Sequence, residues 1–169
     1  YFLSSANSIN WGRVLPQIVY YVATYAELVK RGDIQMGDQI NFCVPTGNFG
    51  NILAGYYAKR MGVPIDKLLC ASNANNVLTD FIRTGIYDRN RPFHTTISPS
   101  MDILISSNLE RLLYLLSGSD AEVRGYMEQL NKTGRYEVSK DMLEKIQDNF
   151  LCGFCDDERT TNAIGKVFS

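Results

Sequence analysis

The run Val44-Pro45-Thr46-Gly47-Asn48-Phe49-Gly50-Asn51 places two glycines and no charged residue between two apolar segments of different character. Before it, residues 39–44 form a short apolar stretch that reads as a buried strand. After it, Phe49, Ile52, Leu53, Tyr56 and Tyr57 recur at the spacing of one helix face. A strand, a glycine turn and a helix start in succession make an anion cradle. Glycine lets the backbone approach closely, and the N–H groups of the first helical turn have no partner within the helix. The pattern is that of a phosphate-binding loop. It is not a Walker loop, which needs Gly-Lys-Ser/Thr, and Gly47-x-x-Gly50 lacks the third glycine of a dinucleotide-binding turn.

Working outward, Trp11, Val14, Leu15, Ile18, Val19, Val22 and Ala26 predict a helix over about 11–31, stopped by Gly32. Pro16 lies near its first turn or kinks it. The helix after the loop spans about 50–61 and stops at Gly62, with Pro64 beyond. Leu68–Ser72 reads as a second buried strand and Val77, Leu78, Phe81 and Ile82 as a short helix closed by Gly85. Strand, helix and strand with this connection imply parallel pairing. Ligands of such sheets bind at the carboxyl ends of the strands, where Thr46–Asn51 and Asn73–Asn76 both fall.

Residues 87–92 read as loop and Phe93–Ser98 as a short strand. Ser107-x-x-Glu110 and Ser119-x-x-Glu122 have capping-box spacing, and Ser139 caps a third helix, so 107–148 reads as a helical cluster. Residues 150–154 return as a strand before a last helix from about Asp157. The fold expected is α/β, a parallel-sheet portion over 1–106 followed by a mainly helical portion over 107–169 that is an insert within the same domain.

Composition narrows the function classes. With a net charge of −1 and both signs mixed, the chain has no basic footprint for nucleic acid and no attraction to acidic membranes. Its longest apolar runs are interrupted and fall short of a membrane span. Four scattered cysteines fit a reducing compartment, hence a cytoplasmic protein, better than a disulfide framework. Cys152-Gly153-Phe154-Cys155 has redox spacing, but Asp156, Asp157 and Glu158 follow at once and would oppose a thiolate. Two cysteines do not make a zinc site, so no metal is expected. His94, the single histidine, reads as structural or surface, which leaves a hydrolytic triad without its base. Tyr20 and Tyr21, like Tyr56 and Tyr57, cannot share one helix face, so apolar surface outside the core is expected.

Residues 45–51, Pro-Thr-Gly-Asn-Phe-Gly-Asn, resemble the phosphate loop of the pyridoxal-phosphate (PLP) enzymes of the tryptophan-synthase-β type, fold type II, and among these the threonine synthases. Three further stretches carry the resemblance: 5–13 (Ser-Ala-Asn-Ser-Ile-Asn-Trp-Gly-Arg), 71–75 (Ala-Ser-Asn-Ala-Asn) and 98–103 (Ser-Pro-Ser-Met-Asp-Ile). Together they reach from about residue 4 to 111. The resemblance implies a lyase of threonine biosynthesis that converts O-phospho-L-homoserine and water to L-threonine and phosphate. It implies that Gly47, Asn48, Phe49, Gly50 and Asn51 hold the PLP phosphate, that Asn7 lies beside the cofactor, and that Ser8, Arg13 and Asn48 bind the substrate phosphate. The lysine that holds the cofactor as a Schiff base belongs, in that family, to an N-terminal segment this chain lacks. The chain therefore reads as a fragment, without catalytic residues of its own and inactive without its N-terminal domain. Lys59 does not substitute, lying late in the second helix, roughly 13–15 Å from its start. Two alternatives stand beside this reading: a threonine-synthase-like phospho-lyase releasing a keto acid, and a non-catalytic phosphate- or PLP-binding module.

Overall fold

A computed structural model describes residue 7 and residues 9–168. Its first helix, α1 (Trp11–Arg31), starts where the Asn10 side chain accepts a 2.9 Å hydrogen bond from the Gly12 N–H. It ends where Gly32 turns left-handed at φ 77° and returns its own N–H to Leu28 and Val29. Pro16 lies inside α1 without ending it. Val14, Ile18, Tyr21 and Tyr25 form the buried face. Tyr20 and Val19 point outward, each about 60% exposed, so the adjacent tyrosines split between core and surface as their spacing requires.

The sheet is built from β1 (Ile40–Pro45), β2 (Ile65–Ser72) and β5 (Phe150–Phe154), in the order β1-β2-β5 and parallel throughout. Between β1 and β2 runs α2 (Gly50–Arg60), and α3 (Val77–Thr84) follows β2. Helix α1 crosses α2 at Gly55, where a Cβ would stand 2.7 Å from the Tyr21 ring and 2.9 Å from Leu68. Only a glycine lets the two helices approach this closely. Trp11 on α1 meets Tyr57 on α2 edge to face at 5.2 Å.

Several expectations need correcting. Strand β2 begins at Ile65, three residues before Leu68. Residues 86–88 are not loop but a short strand, β3 (Ile86–Asp88), antiparallel to β4 (Arg135–Glu137). The two are held by Tyr87 and Tyr136, whose rings stack 5.2 Å apart within the core. Residues 93–98 form no strand; side-chain hydrogen bonds to Asp102 fix this segment in place of a ladder. A single 3₁₀ turn, Pro99–Met101, follows. Helix α4 (Leu109–Ser117) opens on Asn108, not Ser107, and has no side-chain cap, because the Asn108 amide is engaged elsewhere.

Ser119 does cap α5 (Asp120–Thr133) through the Glu122 N–H. The box is not reciprocal: Glu122 accepts the Tyr126 hydroxyl at 2.6 Å, and the Ser119 N–H donates to Ser117. Ser139 caps α6 (Lys140–Gln147) as expected. The chain then rejoins the sheet as β5 and ends in α7 (Asp157–Phe168), whose residues are all at least partly exposed. Phe150 on β5 closes the core against Phe49 and Tyr56, with ring centroids 5.6 and 5.7 Å away. No described helix is long and apolar enough to cross a membrane.

Candidate phosphate-binding site

The site forms at the carboxyl end of β1. The ladder continues one residue past the strand, where the Thr46 N–H donates to the Ala71 carbonyl at 2.8 Å. The Thr46 hydroxyl turns back onto the Val44 carbonyl at 2.6 Å, so both the N–H and the hydroxyl of this buried threonine are engaged. Gly47 then passes beneath the 3₁₀ turn. A Cβ there would lie 3.0 Å from the Ser100 carbonyl oxygen and 3.2 Å from the Met101 Cα, backbone atoms that cannot swing aside.

Phe49 adopts the left-handed conformation, φ 64° and ψ 4°, and is the only described non-glycine residue with positive φ. Such a conformation costs an L-residue about 1–2 kcal/mol. It persists because the ring is 1% exposed and locked against Phe150. Where left-handed Phe49 runs into the right-handed turn at Gly50, successive N–H groups converge into a concavity suited to an anion. Among the described residues, the N–H groups of Asn48, Phe49, Gly50 and Asn51 donate to no protein acceptor. Helix α2 has no acidic residue in its first turn and no side-chain cap, so its positive end is uncompensated by protein.

A cavity of about 150 Å³ lies over these donors, lined by Pro45–Ile52, Arg13, Gln17 and Ser100. No carboxylate lines it. Arg13, in the first turn of α1, also lines it, with Gln17 one turn further on. The Gln17 Oε1 is buried without a hydrogen-bond partner. Thus Gly47–Asn51 and Arg13, far apart in sequence, share one cavity. Asn7 is not among its lining residues; its side chain accepts from the Ile9 N–H at 3.1 Å in a local turn. Ser8 lies outside the described residues.

The second strand end holds a network. Asp102 accepts the Thr96 N–H at 2.9 Å and the Thr96 hydroxyl at 2.7 Å. It also accepts the amides of Asn73 and Asn75 at 2.7 and 3.1 Å. These bonds, led by the Thr96 N–H, hold the Asp102 carboxyl below its ordinary range, so it stays charged. Asn75 further pins His94 through both of that residue's backbone groups. The stretches 71–75 and 98–103 are therefore one structure, and it seats the 3₁₀ turn over Gly47. His94 itself is exposed.

Burial works against a reactive thiolate at Cys70 and Cys152. Burial pushes the Cys70 thiol up to about 12. Cys152 is also raised by burial, and its Sγ lies 3.5 Å from the Thr79 carbonyl. Among the described residues no group of His, Cys, Asp or Glu is placed to hold a metal ion. Sequence reasoning missed Gln17 and Ser100 as lining residues. Gln17 was findable, standing one helical turn from Arg13; Ser100 reaches the cavity only through tertiary structure.

A parallel sheet whose first strand turns through glycines into an uncapped helix start defines an α/β protein with an anion-binding loop. No family model matches the chain. Threonine synthase-like 1 of Macaca fascicularis is 50% identical over 99% of this chain and 23% of its own length. Threonine synthase of Saccharomyces cerevisiae is 39% identical over 98% of this chain and 34% of its own. Among solved structures, yeast threonine synthase superposes with a TM-score of 0.88 at 38% identity, over 96% of this chain and 33% of that one. PLP-bound threonine synthase from Brucella melitensis gives 0.84 at 45% identity, over 91% and 32%. In sequence and fold the chain is similar to the threonine synthases and threonine synthase-like proteins, and it spans about a quarter to a third of the length of these relatives.

Proposed function

We propose that the chain supplies the phosphate-binding wall of a PLP-dependent enzyme of the threonine synthase type, acting on O-phospho-L-homoserine and water to give L-threonine and phosphate. The observation that carries this reading is the cradle. Four N–H groups without protein acceptors and the wall bearing Arg13 face one cavity that no carboxylate lines. That donor set fits a phosphate. The backbone of Gly47, Asn48, Phe49, Gly50 and Asn51 would hold the cofactor's phosphate, with Asn7 beside the cofactor. Ser8, Arg13 and the Asn48 side chain would hold the substrate's phosphate, Arg13 by a forked pair of hydrogen bonds. When bound, the cofactor supplies an electron sink for carbanion chemistry. Holding the leaving phosphate with a fixed cation and aligned dipoles favours its departure without reorganisation of the site.

No lysine lines the cavity, and the Lys59 ammonium is turned away, donating to the Asp66 carbonyl at 2.6 Å. The 169-residue chain by itself is accordingly expected to release no phosphate from the substrate. Arg13→Gln in the whole enzyme is expected to raise KM for the phosphorylated substrate about 10- to 100-fold, the worth of charge-assisted hydrogen bonds. An unchanged KM would overturn the assignment of Arg13. A second reading stands beside it, a threonine-synthase-like phospho-lyase that releases a keto acid. Product analysis separates the two, since only the synthase yields threonine.

A further inference from the structure

The carbonyls of the cradle are as specifically bound as its N–H groups are free of protein acceptors. The Ser106 hydroxyl donates to the Gly47 carbonyl at 2.9 Å. The Asn48 carbonyl accepts twice from Asn108, from its backbone N–H at 3.1 Å and its side-chain amide at 2.9 Å. Both donors are buried, Asn108 completely and Ser106 to 7% exposure. In a trans peptide the N–H points opposite to the C=O of the preceding residue. No cis bond occurs among the described residues. Drawing the Gly47 and Asn48 carbonyls toward residues 106–108 therefore turns the N–H groups of Asn48 and Phe49 away from them, toward the cavity.

The two donors are themselves held. Arg111 donates to the Asn108 Oδ1 at 3.0 Å, which settles which end of that amide faces the loop. A second Arg111 nitrogen donates to the Ile9 carbonyl, at the entrance to α1. The Ser106 N–H donates to the Tyr87 hydroxyl at 2.9 Å, and Tyr87 in turn donates to the Leu104 carbonyl. A buried asparagine is costly unless bonded, and an apolar residue would fill this place in the core at lower cost. The bond it makes is to the loop.

We propose that Asn108 and Ser106 are positioning residues that aim the cradle, holding two successive peptide planes so that their N–H groups converge on a bound phosphate. The proposal rests on the reading of this loop as a phosphate site. Its test is a titration of the protein with inorganic phosphate, followed by the backbone amide resonances of residues 48–51. In the wild type all four are expected to shift together. In Ser106→Ala/Asn108→Ala, affinity is expected to fall about tenfold. The Asn48 and Phe49 resonances lose their phosphate dependence, whereas Gly50 and Asn51, aimed by the helix, keep theirs. A merely structural role would weaken all four alike.

Ser106→Cys keeps shape and packing while weakening the donor, and about a threefold loss centred on Asn48 is expected. If the double variant does not fold, this variant decides, and unchanged binding by it overturns the proposal. A folded double variant that binds within twofold of wild type also overturns it, leaving the phosphate reading intact. A wild type whose loop amides do not respond to phosphate overturns the phosphate reading, and this proposal with it.

Discussion

Phe49 offers the sharpest test of the loop's construction, because its two contributions to stability oppose each other. Its ring is 1% exposed and packs on Phe150 with a centroid separation of 5.6 Å. Truncation to alanine removes that burial at a cost of about 3–5 kcal/mol. Alanine keeps the strain, however, since any Cβ resists a φ of 64° by about 1–2 kcal/mol. Glycine loses the same ring but releases the strain. Against this, glycine ordinarily costs about 0.5–1 kcal/mol more than alanine through the freedom it has in the unfolded chain. The balance puts Phe49→Gly above Phe49→Ala by about 0.5–1 kcal/mol, the reverse of the usual order. Urea denaturation of the two variants, with equal slopes, measures the difference directly. Phe49→Gly emerging as the less stable of the pair would refute the claim that the left-handed backbone, and with it the convergence of the loop's N–H groups, is held by the buried ring.

Three further outcomes follow from the packing and the titrating groups. Gly55→Ala would press a methyl into the Tyr21 ring and Leu68, and is expected to destabilise by about 1–2 kcal/mol despite alanine's helix propensity; chemical denaturation showing a gain would refute the close crossing of α1 and α2. Asp102 titrates below its ordinary value of 3.8, so its contribution is whole above that value and is lost as pH falls through the lowered one. The stability gap between wild type and Asp102→Asn should therefore be open at neutral pH and close under acid, and a gap that persists unchanged at low pH would sink the idea. Tyr21, Tyr87 and Tyr136 are all raised by burial, Tyr87 to about 12, so the stability linked to them is whole below the ordinary value of 10 and declines as pH rises past it. Absorbance titration should show fewer than the 10 tyrosines ionising before the protein unfolds in alkali.

Legibility in the sequence followed the range of the interactions. The spans of α1, α2 and α3, with the stops at Gly32 and Gly85, could be read because 3.6-residue periodicity and left-handed glycine caps are local signals. The loop was legible for the same reason, its donors being contiguous. The ribbon of β3 and β4 was not, since three residues are too few to show alternation, and what pairs them is the stacking of Tyr87 on Tyr136 across the chain. Ser107 had the spacing of a capping residue, yet the helix takes Asn108 in its place, whose amide is drawn to a carbonyl 60 residues away. No local pattern encodes that bond. Likewise Asn73, Asn75 and Asp102 could be singled out only as parts of stretches; that they form one network with Thr96 around a carboxylate needed the fold.

The site is thereby a product of convergence, and its geometry depends on elements that never touch a ligand. Arg13 comes from α1, the N–H groups from the turn into α2, and the roof from the segment between β3 and α4. One chain of hydrogen bonds, from the Ile9 carbonyl through Arg111 and Asn108 to the Asn48 carbonyl, spans the walls and fixes how far the α1 entrance stands from the loop. An anion that bridges those walls gains from a separation already set, because ordering them on binding would otherwise be drawn from its affinity. The same coupling runs in reverse. An anion that binds the folded site and not the unfolded chain stabilises the fold by RT ln(1 + [L]/Kd), about 2.7 kcal/mol at a hundredfold excess over Kd. Residues 94–108 hold their place through side-chain hydrogen bonds, the Asn108 N–H bond to the Asn48 carbonyl and one 3₁₀ turn until α4 begins, so this segment is where bound phosphate has most to add.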